Sequence, residues 1–185
     1  IVTTVGRIIF NETLKGALPF VNKHLNKGAL AKLVEAIVDA KGFEVGQRVL
    51  DDVKLLGYEM ATRSGITWAM NDLIIPKEKK EIIEKARKEA EMVVEQYEEG
   101  LLTVEERRAR VISIWEKAKA EISDLTKVSM DRSNSIFNII DSGARGSWGQ
   151  ANQMIGMKGL VANPKGEIIE LPVISSYKEG LTVLE

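Results

Sequence analysis

Mostly apolar residues recur along residues 76–125 at alternating spacings of three and four, in two series. The first series is Ile83, Ala86, Ala90, Val93 and Tyr97, and the second is Val104, Arg108, Val111, Trp115, Ala118, Ile122 and Leu125. A narrow stripe of this kind is typical of the seam of a coiled coil. Gly100 predicts the end of one helix, and Thr103 followed by Glu106 predicts a capping box at the start of the next. We therefore expect an antiparallel helical hairpin, long and charged enough to project.

The chain before this hairpin contains shorter patterns. Residues 3–10 form an apolar, β-branched run that fits a strand or a short buried helix. Residues 27–40 have helical periodicity and end at Gly42, and residues 45–56 predict a second amphipathic helix with Gly57 as its stop. The small and hydroxyl residues that follow favour a structural turn over a phosphate contact through Arg63.

The chain after the hairpin predicts one short helix and two strands. The helix covers residues 151–156, and the strands cover residues 160–162 and 167–171, joined by a tight turn. The expected fold class is mainly α with small β elements (α+β), in which the long hairpin projects from a small mixed base. We divide the chain into segments 1–57, 58–140 (with the hairpin at 76–125) and 141–185.

Composition narrows the functional classes. Charged residues make up 29% of the 185 residues, yet the formal net charge is −1, which argues against a dedicated nucleic-acid surface and leaves room for a local basic patch. The chain has no cysteine and no apolar run long enough to span a membrane, so we expect a cytoplasmic location. It begins at Ile1, and we expect it to be a piece of a larger protein.

Few residues suggest chemistry. His24 is the only histidine and is better explained as a surface or capping residue than as a metal ligand. Residues 141–150 contain three glycines at a spacing of three, which fits neither the dinucleotide fingerprint nor the phosphate-binding loop. Arg145 lies among them, where it could reach a phosphate or a carboxylate, and a functional contact and a structural turn remain equally open. No catalytic motif is present, so catalysis by this chain alone is not expected.

An ordered set of motifs resembles the beta-prime subunit family of bacterial multisubunit RNA polymerases, and it spans essentially the whole chain. The motifs are TTVGR at 3–7, LPFVN at 18–22, ATRSGI at 61–66, IIP at 74–76, GLLT at 100–103, DSGARGS at 141–147, GMKGL at 156–160, GEIIE at 166–170 and EGLTVL at 179–184. By this resemblance, the chain corresponds to the pore and funnel of the secondary channel, through which nucleotides reach the active site. The hairpin would be the pair of rim helices at the channel mouth.

The resemblance also implies roles for single residues. Glu106, Arg107 and Arg110 would dock transcript-cleavage factors of the Gre type and related regulators, and Arg145 would guide the phosphates of incoming nucleotides. The F-loop, which supports the bridge helix and the trigger loop, would cover residues 150–172, and the bridge helix would begin at the C-terminus. The F-loop residues expected to matter are Gln150, Gln153, Gly156, Met157, Lys158 and Gly159.

The implied partners are the beta subunit, the remainder of beta-prime, nucleoside triphosphates, and DNA and RNA through the whole enzyme, with no membrane. The family's catalytic aspartates and their magnesium lie outside this region, so we expect no cofactor here and no activity from the chain alone. Several residues depart from the common pattern: Asn152 replaces an arginine, Asn71 an aspartate, and Arg108 and Ala109 also differ. Two alternatives are an autonomous coiled-coil interaction module and, less favoured, a phosphate-binding enzyme built around Arg145.

Overall fold

The computed structural model describes residues 1–185, and most of them are helical. Seven α-helices follow one another, with a single 3-10 turn at Met70–Asp72 before the fourth. They are α1 (Val5–Thr13), α2 (Lys27–Lys41), α3 (Phe43–Ser64), α4 (Lys79–Glu98), α5 (Val104–Ser129), α6 (Ser135–Asp141) and α7 (Trp148–Ile155). None of these helices combines the length and apolarity that crossing a bilayer requires.

The chain forms two compact units, each assembled from separate stretches of sequence. The first unit contains Ile1–Trp68 and Asp141–Arg145, and the second contains Ala69–Ile140 and Gly146–Glu185. The core of the first unit consists of Leu14, Ala17, Leu33, Ile37 and Val49. Residues 3–10, which fitted a strand or a buried helix, fall mainly in α1, and no residue of that helix is fully buried.

Helix α3 corrects the predicted stop at Gly57. The helix runs through Gly57 and ends at Ser64, where Gly65 takes the left-handed conformation with a φ of +58°. Gly57 is exposed, and its neighbours Leu56 and Tyr58 continue the helical backbone. A glycine inside a helix costs only about 0.5–1 kcal/mol relative to alanine, so it does not end a helix whose flanking turns are otherwise favourable.

The second unit contains the long helices α4 and α5, which pack against each other. Their buried apolar residues come from the two predicted series, and Met157 completes the cluster from outside the helices. The buried members are Ile83, Ala86, Val93, Val111, Trp115, Ala118 and Ile122. A further cluster in this unit joins Leu73, Met130, Ile136 and Ile155, and the rings of Phe137 and Trp148 meet edge to face at 5.5 Å.

The predicted small β elements are reduced to two isolated antiparallel bridges, Gly159 with Val173 and Ala162 with Ile168. Between them, the side chain of Asn163 accepts hydrogen bonds from the backbone N–H groups of Lys165 and Glu167. These bonds close a turn beside the backbone bonds from the Asn163 N–H to Glu167 and from the Ile169 N–H to Val161, and the pairing does not lengthen into strands.

Candidate functional site

The loop between α4 and α5 has the local structure that its sequence predicts. Gly100 adopts a φ of +77°, and Thr103 and Glu106 form a capping box. The Thr103 N–H and hydroxyl donate to Glu106 Oε2 at 2.9 and 3.0 Å, and the Glu106 N–H donates to Thr103 Oγ1 at 3.2 Å. The two bonds from Thr103, with Arg110 nearby, hold the pKa of Glu106 below its usual value. Glu106 therefore keeps its charge at neutral pH while it caps α5.

The arginines after this cap have different environments. Arg107 is half-buried, pairs with Glu170 at 2.9 Å and lies over the ring of Tyr97 at 5.2 Å. Arg108 donates to the carbonyl oxygen of Ile168 at 2.9 Å. Arg110 is exposed and makes one hydrogen bond, 3.3 Å to Gln96 Oε1. Of these three arginines, only Arg110 is exposed, and its one hydrogen bond is to a neutral side-chain amide, with the Glu106 carboxylate nearby.

Arg145 lies at the end of a short segment that joins the first unit. The Lys27 N–H donates to the Ser142 carbonyl oxygen at 2.8 Å, which attaches the segment to the start of α2. Gly143 and Gly146 both have left-handed backbone, with φ of +75° and +76°. Arg145 itself is exposed and makes no hydrogen bond or ion pair within the chain. Its guanidinium group is therefore available for an anionic ligand.

The predicted F-loop residues divide into exposed and buried groups. Gln150 and Gln153 are exposed, whereas Gly156, Met157 and Gly159 are buried. Met157 is fully buried in the α4–α5 cluster. Gly159 has a φ of +87°, a left-handed conformation that favours glycine, and a Cβ there would also displace the flexible Lys119 side chain, whose Cδ would lie at 2.6 Å. Lys158 places its ammonium group 5.4 Å from the centre of the Tyr177 ring.

Asn152, where the family resemblance predicts an arginine, is almost completely buried in α7. Its Nδ2 donates to the carbonyl oxygen of Met157 at 3.4 Å, whereas its Oδ1 has no hydrogen-bond partner. A role that depends on a positive charge at this position cannot be performed by this side chain.

Within the second unit, polar contacts that the sequence did not suggest join residues 173–185 to Leu73 and Lys79. The almost fully buried Lys79 pairs with Glu179, and Lys178 donates to the carbonyl oxygen of Leu73. Burial raises the pKa of Glu179, but hydrogen bonds from Lys79 and Ser176 outweigh burial and leave that pKa below its usual value. The only sequence signal for these contacts is a Ser-x-x-Glu pattern at Ser176 and Glu179, which also occurs at many helix starts.

Glu185 accepts five hydrogen bonds from Ile174, Ser175 and Thr182. The bonds from the Thr182 N–H, followed by those from Ser175, lower the pKa of Glu185 to about 2. The chain contains no group of three or more His, Cys, Asp or Glu side chains that could hold a metal ion.

Comparison with known proteins shows similarity to subunits of RNA polymerases. The family described as RNA polymerase Rpb1, domain 4, matches residues 77–178, which include α4, α5, α6 and α7. The DNA-directed RNA polymerase subunit beta' of Pelotomaculum thermopropionicum is 44% identical over 183 residues, covering 99% of this chain and 16% of that protein. The same subunit of Beutenbergia cavernae is 44% identical over 99% of this chain and 14% of its own length.

The corresponding subunit of Rubrobacter xylanophilus is 43% identical over 196 residues, covering 99% of this chain and 15% of that protein. This chain belongs to the beta-prime family of DNA-directed RNA polymerase subunits. It spans about one seventh of the length of these relatives. The resemblance seen in the motifs is thereby confirmed, while the roles of Glu106, Arg107, Arg110, Arg145 and the F-loop residues stay predictions.

Proposed function

We propose that this chain forms the secondary-channel region of a bacterial RNA polymerase, with α4 and α5 as a coiled-coil pair of rim helices projecting at the channel mouth. The observation that carries the proposal is the similarity to beta-prime subunits over 99% of the chain, with the predicted helix ends at Gly100 and Thr103. The assembled enzyme would perform DNA-templated RNA synthesis in the cytoplasm. Its beta subunit and the remainder of beta-prime would surround this region.

The loop between α4 and α5 is proposed to dock transcript-cleavage factors of the Gre type and related regulators. Arg110 is the residue best placed to contact a factor, because its charge is exposed and its one bond is to a neutral amide. Arg107 would act indirectly, since its guanidinium group is already engaged by Glu170 and Tyr97. Exposed charges at the edge of an interface govern encounter and register, which suits a transient regulator.

Charge reversal tests this docking. Arg110→Glu in the assembled polymerase should weaken binding of a Gre-type factor about tenfold and leave factor-free elongation unchanged, because the lost contact is an interfacial charge. Factor affinity is measured by fluorescence anisotropy. Arg87→Glu is the matched control, since Arg87 is exposed on α4 and pairs only with Glu84.

Glu106→Gln separates the charge of Glu106 from its capping role, because glutamine can still accept the Thr103 bonds. Equal affinity of the wild type, Arg110→Glu and Glu106→Gln for the factor would exclude docking at these residues. An equal loss for Arg110→Glu and Arg87→Glu would show that only the net charge of the hairpin matters.

Arg145 is proposed to guide the phosphates of nucleoside triphosphates on their way to the active site. Its exposed guanidinium has no partner in the chain, so removing it should not disturb the fold. In the assembled polymerase, Arg145→Ala should raise the apparent KM for nucleotides about tenfold with a smaller effect on kcat, because a guiding charge acts on capture. Steady-state elongation rates measure both constants.

Arg63→Ala is the control for this measurement, because Arg63 is also exposed in the first unit and pairs with Glu59. The control should retain the wild-type KM. If Arg145→Ala also retained the wild-type KM, Arg145 would have no role in nucleotide capture.

The F-loop residues are proposed to support the bridge helix and trigger loop of the assembled enzyme. Gln150 and Gln153 are exposed and could contact those elements, whereas Met157 and Gly159 would anchor the loop to α5. Thr182 and Glu185 exchange hydrogen bonds in the manner of a capping box, which supports the start of a helix there. The magnesium and catalytic aspartates would be supplied elsewhere in the subunit, so the chain alone should not transfer nucleotides.

A further inference from the structure

The first unit contains a cavity of about 750 Å³ whose charged border is entirely basic. It lies between α1, residues 21–26, the start of α2 and residues 142–144. Phe10, Val21, Leu25 and Leu30 give it an apolar floor. The side chains of Arg7, Lys23, His24 and Lys27 also line it, and no aspartate or glutamate does.

A second cavity of about 660 Å³ extends this basic border along α2. The two cavities share Val21, Lys23 and Asn26, and the second adds Lys32, again without an acidic residue. None of the acidic residues of the first unit lines either cavity, although Asp141 precedes the lining residue Ser142 and Glu35 precedes the lining residue Ala36. These acidic residues are Glu12, Glu35, Asp39, Glu44, Asp51, Asp52, Glu59 and Asp141. The chain's near-zero net charge hides this local separation of charge.

The basic residues at these cavities have no ionic partner, which is also true of Lys41 and Arg48, whereas three other basic residues of the unit are paired. Lys15 pairs with Asp52, Lys54 with Asp51 and Arg63 with Glu59. In contrast, the side chains of Lys23, Lys27 and Lys32 make no hydrogen bond or ion pair in the chain. Cations gathered without counter-charges repel one another, so an anion that binds among them gains from all of them.

The Arg7 side chain and the start of α2 also favour a negatively charged ligand in the larger cavity. Arg7 Nη1 donates to Asn22 Oδ1 at 2.9 Å, which orients the guanidinium without neutralising it. The 15-residue helix α2 begins at Lys27, so the positive end of its dipole lies at the border. Ala144 lines the cavity one residue before the exposed Arg145.

We propose that this cavity binds a phosphate group of a nucleotide, either a free nucleoside triphosphate or a unit of a single strand. Phosphate matches the unpaired cations, and the apolar floor with Phe10 offers a base a surface on which to stack. The site is distinct from Arg145 and goes beyond the proposed channel role. It rests on the charges and shape of the first unit, so it stands even if the channel assignment fails.

Titration of the isotope-labelled 185-residue chain with ATP and with a single-stranded DNA oligonucleotide tests the site by NMR. We expect amide shifts at residues lining the cavity, with affinity falling as salt rises. Lys23→Glu/Lys27→Glu should weaken binding by about tenfold or more, because two charge-assisted contacts are lost. Shifts with ATP identify a free nucleotide as a ligand, and shifts with the oligonucleotide alone identify a strand.

Lys54→Glu/Arg63→Glu is the matched control, because it changes the charge of the same unit equally at residues outside both cavities. It should retain affinity within about twofold, since distant exposed charges are screened by salt. Lys23→Gln/Lys27→Gln gives a milder variant, and thermal unfolding verifies that every variant is folded. Absence of shifts with both probes, or an equal loss in the control, would overturn the proposal.

Discussion

Neighbouring arginines on α5 show how strongly local contacts decide what a charged side chain can do. Arg107 and Arg110 lie within one helical turn, but the first is held by Glu170 and Tyr97 and the second is exposed. The Arg107–Glu170 pair is half-buried on both sides, so breaking it would leave a partly desolvated charge. A substitution at Arg107 therefore tests the packing of the hairpin, whereas one at Arg110 tests recognition.

Gly57 inside α3 and Gly65 just after its end give a prediction about stability at the scale of single residues. Gly57 lies inside the helix, and a Cβ added there would meet no heavy atom within 4 Å. Gly57→Ala should therefore raise the free energy of unfolding by about 0.5–1 kcal/mol, because alanine loses less backbone entropy in a helix. Chemical denaturation of the chain, followed by circular dichroism, measures the change.

Gly65 is the comparison site for Gly57. A Cβ added there also meets no heavy atom within 4 Å, but the backbone φ is +58°. Gly65→Ala should lower the free energy of unfolding by roughly 1 kcal/mol, since an L side chain is strained in left-handed backbone. We therefore expect the two substitutions to change the free energy of unfolding in opposite directions. A loss of stability at Gly57 would mean that the helix does not continue through it.

At the scale of elements, residues 157–174 cover part of the α4–α5 hairpin. Met157 enters its apolar cluster, Gly159 contacts Lys119, and Arg108 donates to the carbonyl oxygen of Ile168. The contact between Arg107 and Glu170 lies close to the loop that joins the helices. The region proposed as the F-loop and the region proposed for factor docking are thus parts of one packed structure.

The hydrogen-bonded cluster around Glu185 gives a pH prediction for the C-terminal segment. Because the fold lowers the pKa of Glu185 from its ordinary value of 4.5 to about 2, ionised Glu185 stabilises the fold. This contribution is complete above pH 4.5 and disappears as the pH falls towards 2. An NMR titration of the Glu185 carboxyl carbon should therefore give a midpoint near 2.

Over the same pH range, the thermal stability of the wild type should change more than that of Glu185→Gln. The thermal midpoint of the wild type should fall more steeply between pH 4.5 and 2, because the variant has no carboxylate to protonate there. A Glu185 midpoint near 4.5, or identical pH profiles for the two proteins, would mean that these hydrogen bonds do not persist in solution.

At the scale of the whole molecule, the sequence predicted the helix ends and buried helix faces, because interactions between nearby residues determine them. Gly100, Thr103 and Glu106 determine helix ends within a few residues, and the apolar series predicted which faces of α4 and α5 are buried. Helix α6 was missed because its seven residues follow a polar stretch that resembles a loop. Gly57 was misread because a modest local cost was treated as decisive.

Contacts between distant parts of the chain could not be predicted in this way. Glu170 follows Arg107 by 63 residues, and Glu179 follows Lys79 by 100. No periodicity connects such positions, and the pairs form only because packing brings their backbones together. The same holds for the cavity in the first unit, where Arg7, Lys23 and Lys27 meet residues 142–144. Family resemblance supplied roles for residues, but it did not supply these pairings.

The discontinuous composition of the first unit has a consequence for its synthesis. Asp141–Arg145 belongs to this unit, although Ala69–Ile140 separates it from the rest. A ribosome must therefore translate that intervening stretch before the Ser142 carbonyl oxygen can accept the Lys27 N–H. At ~5–20 residues per second, the delay is about 4–14 s. Throughout this interval, the start of α2 and the apolar floor of the cavity lack one border and stay open to water and to chaperones.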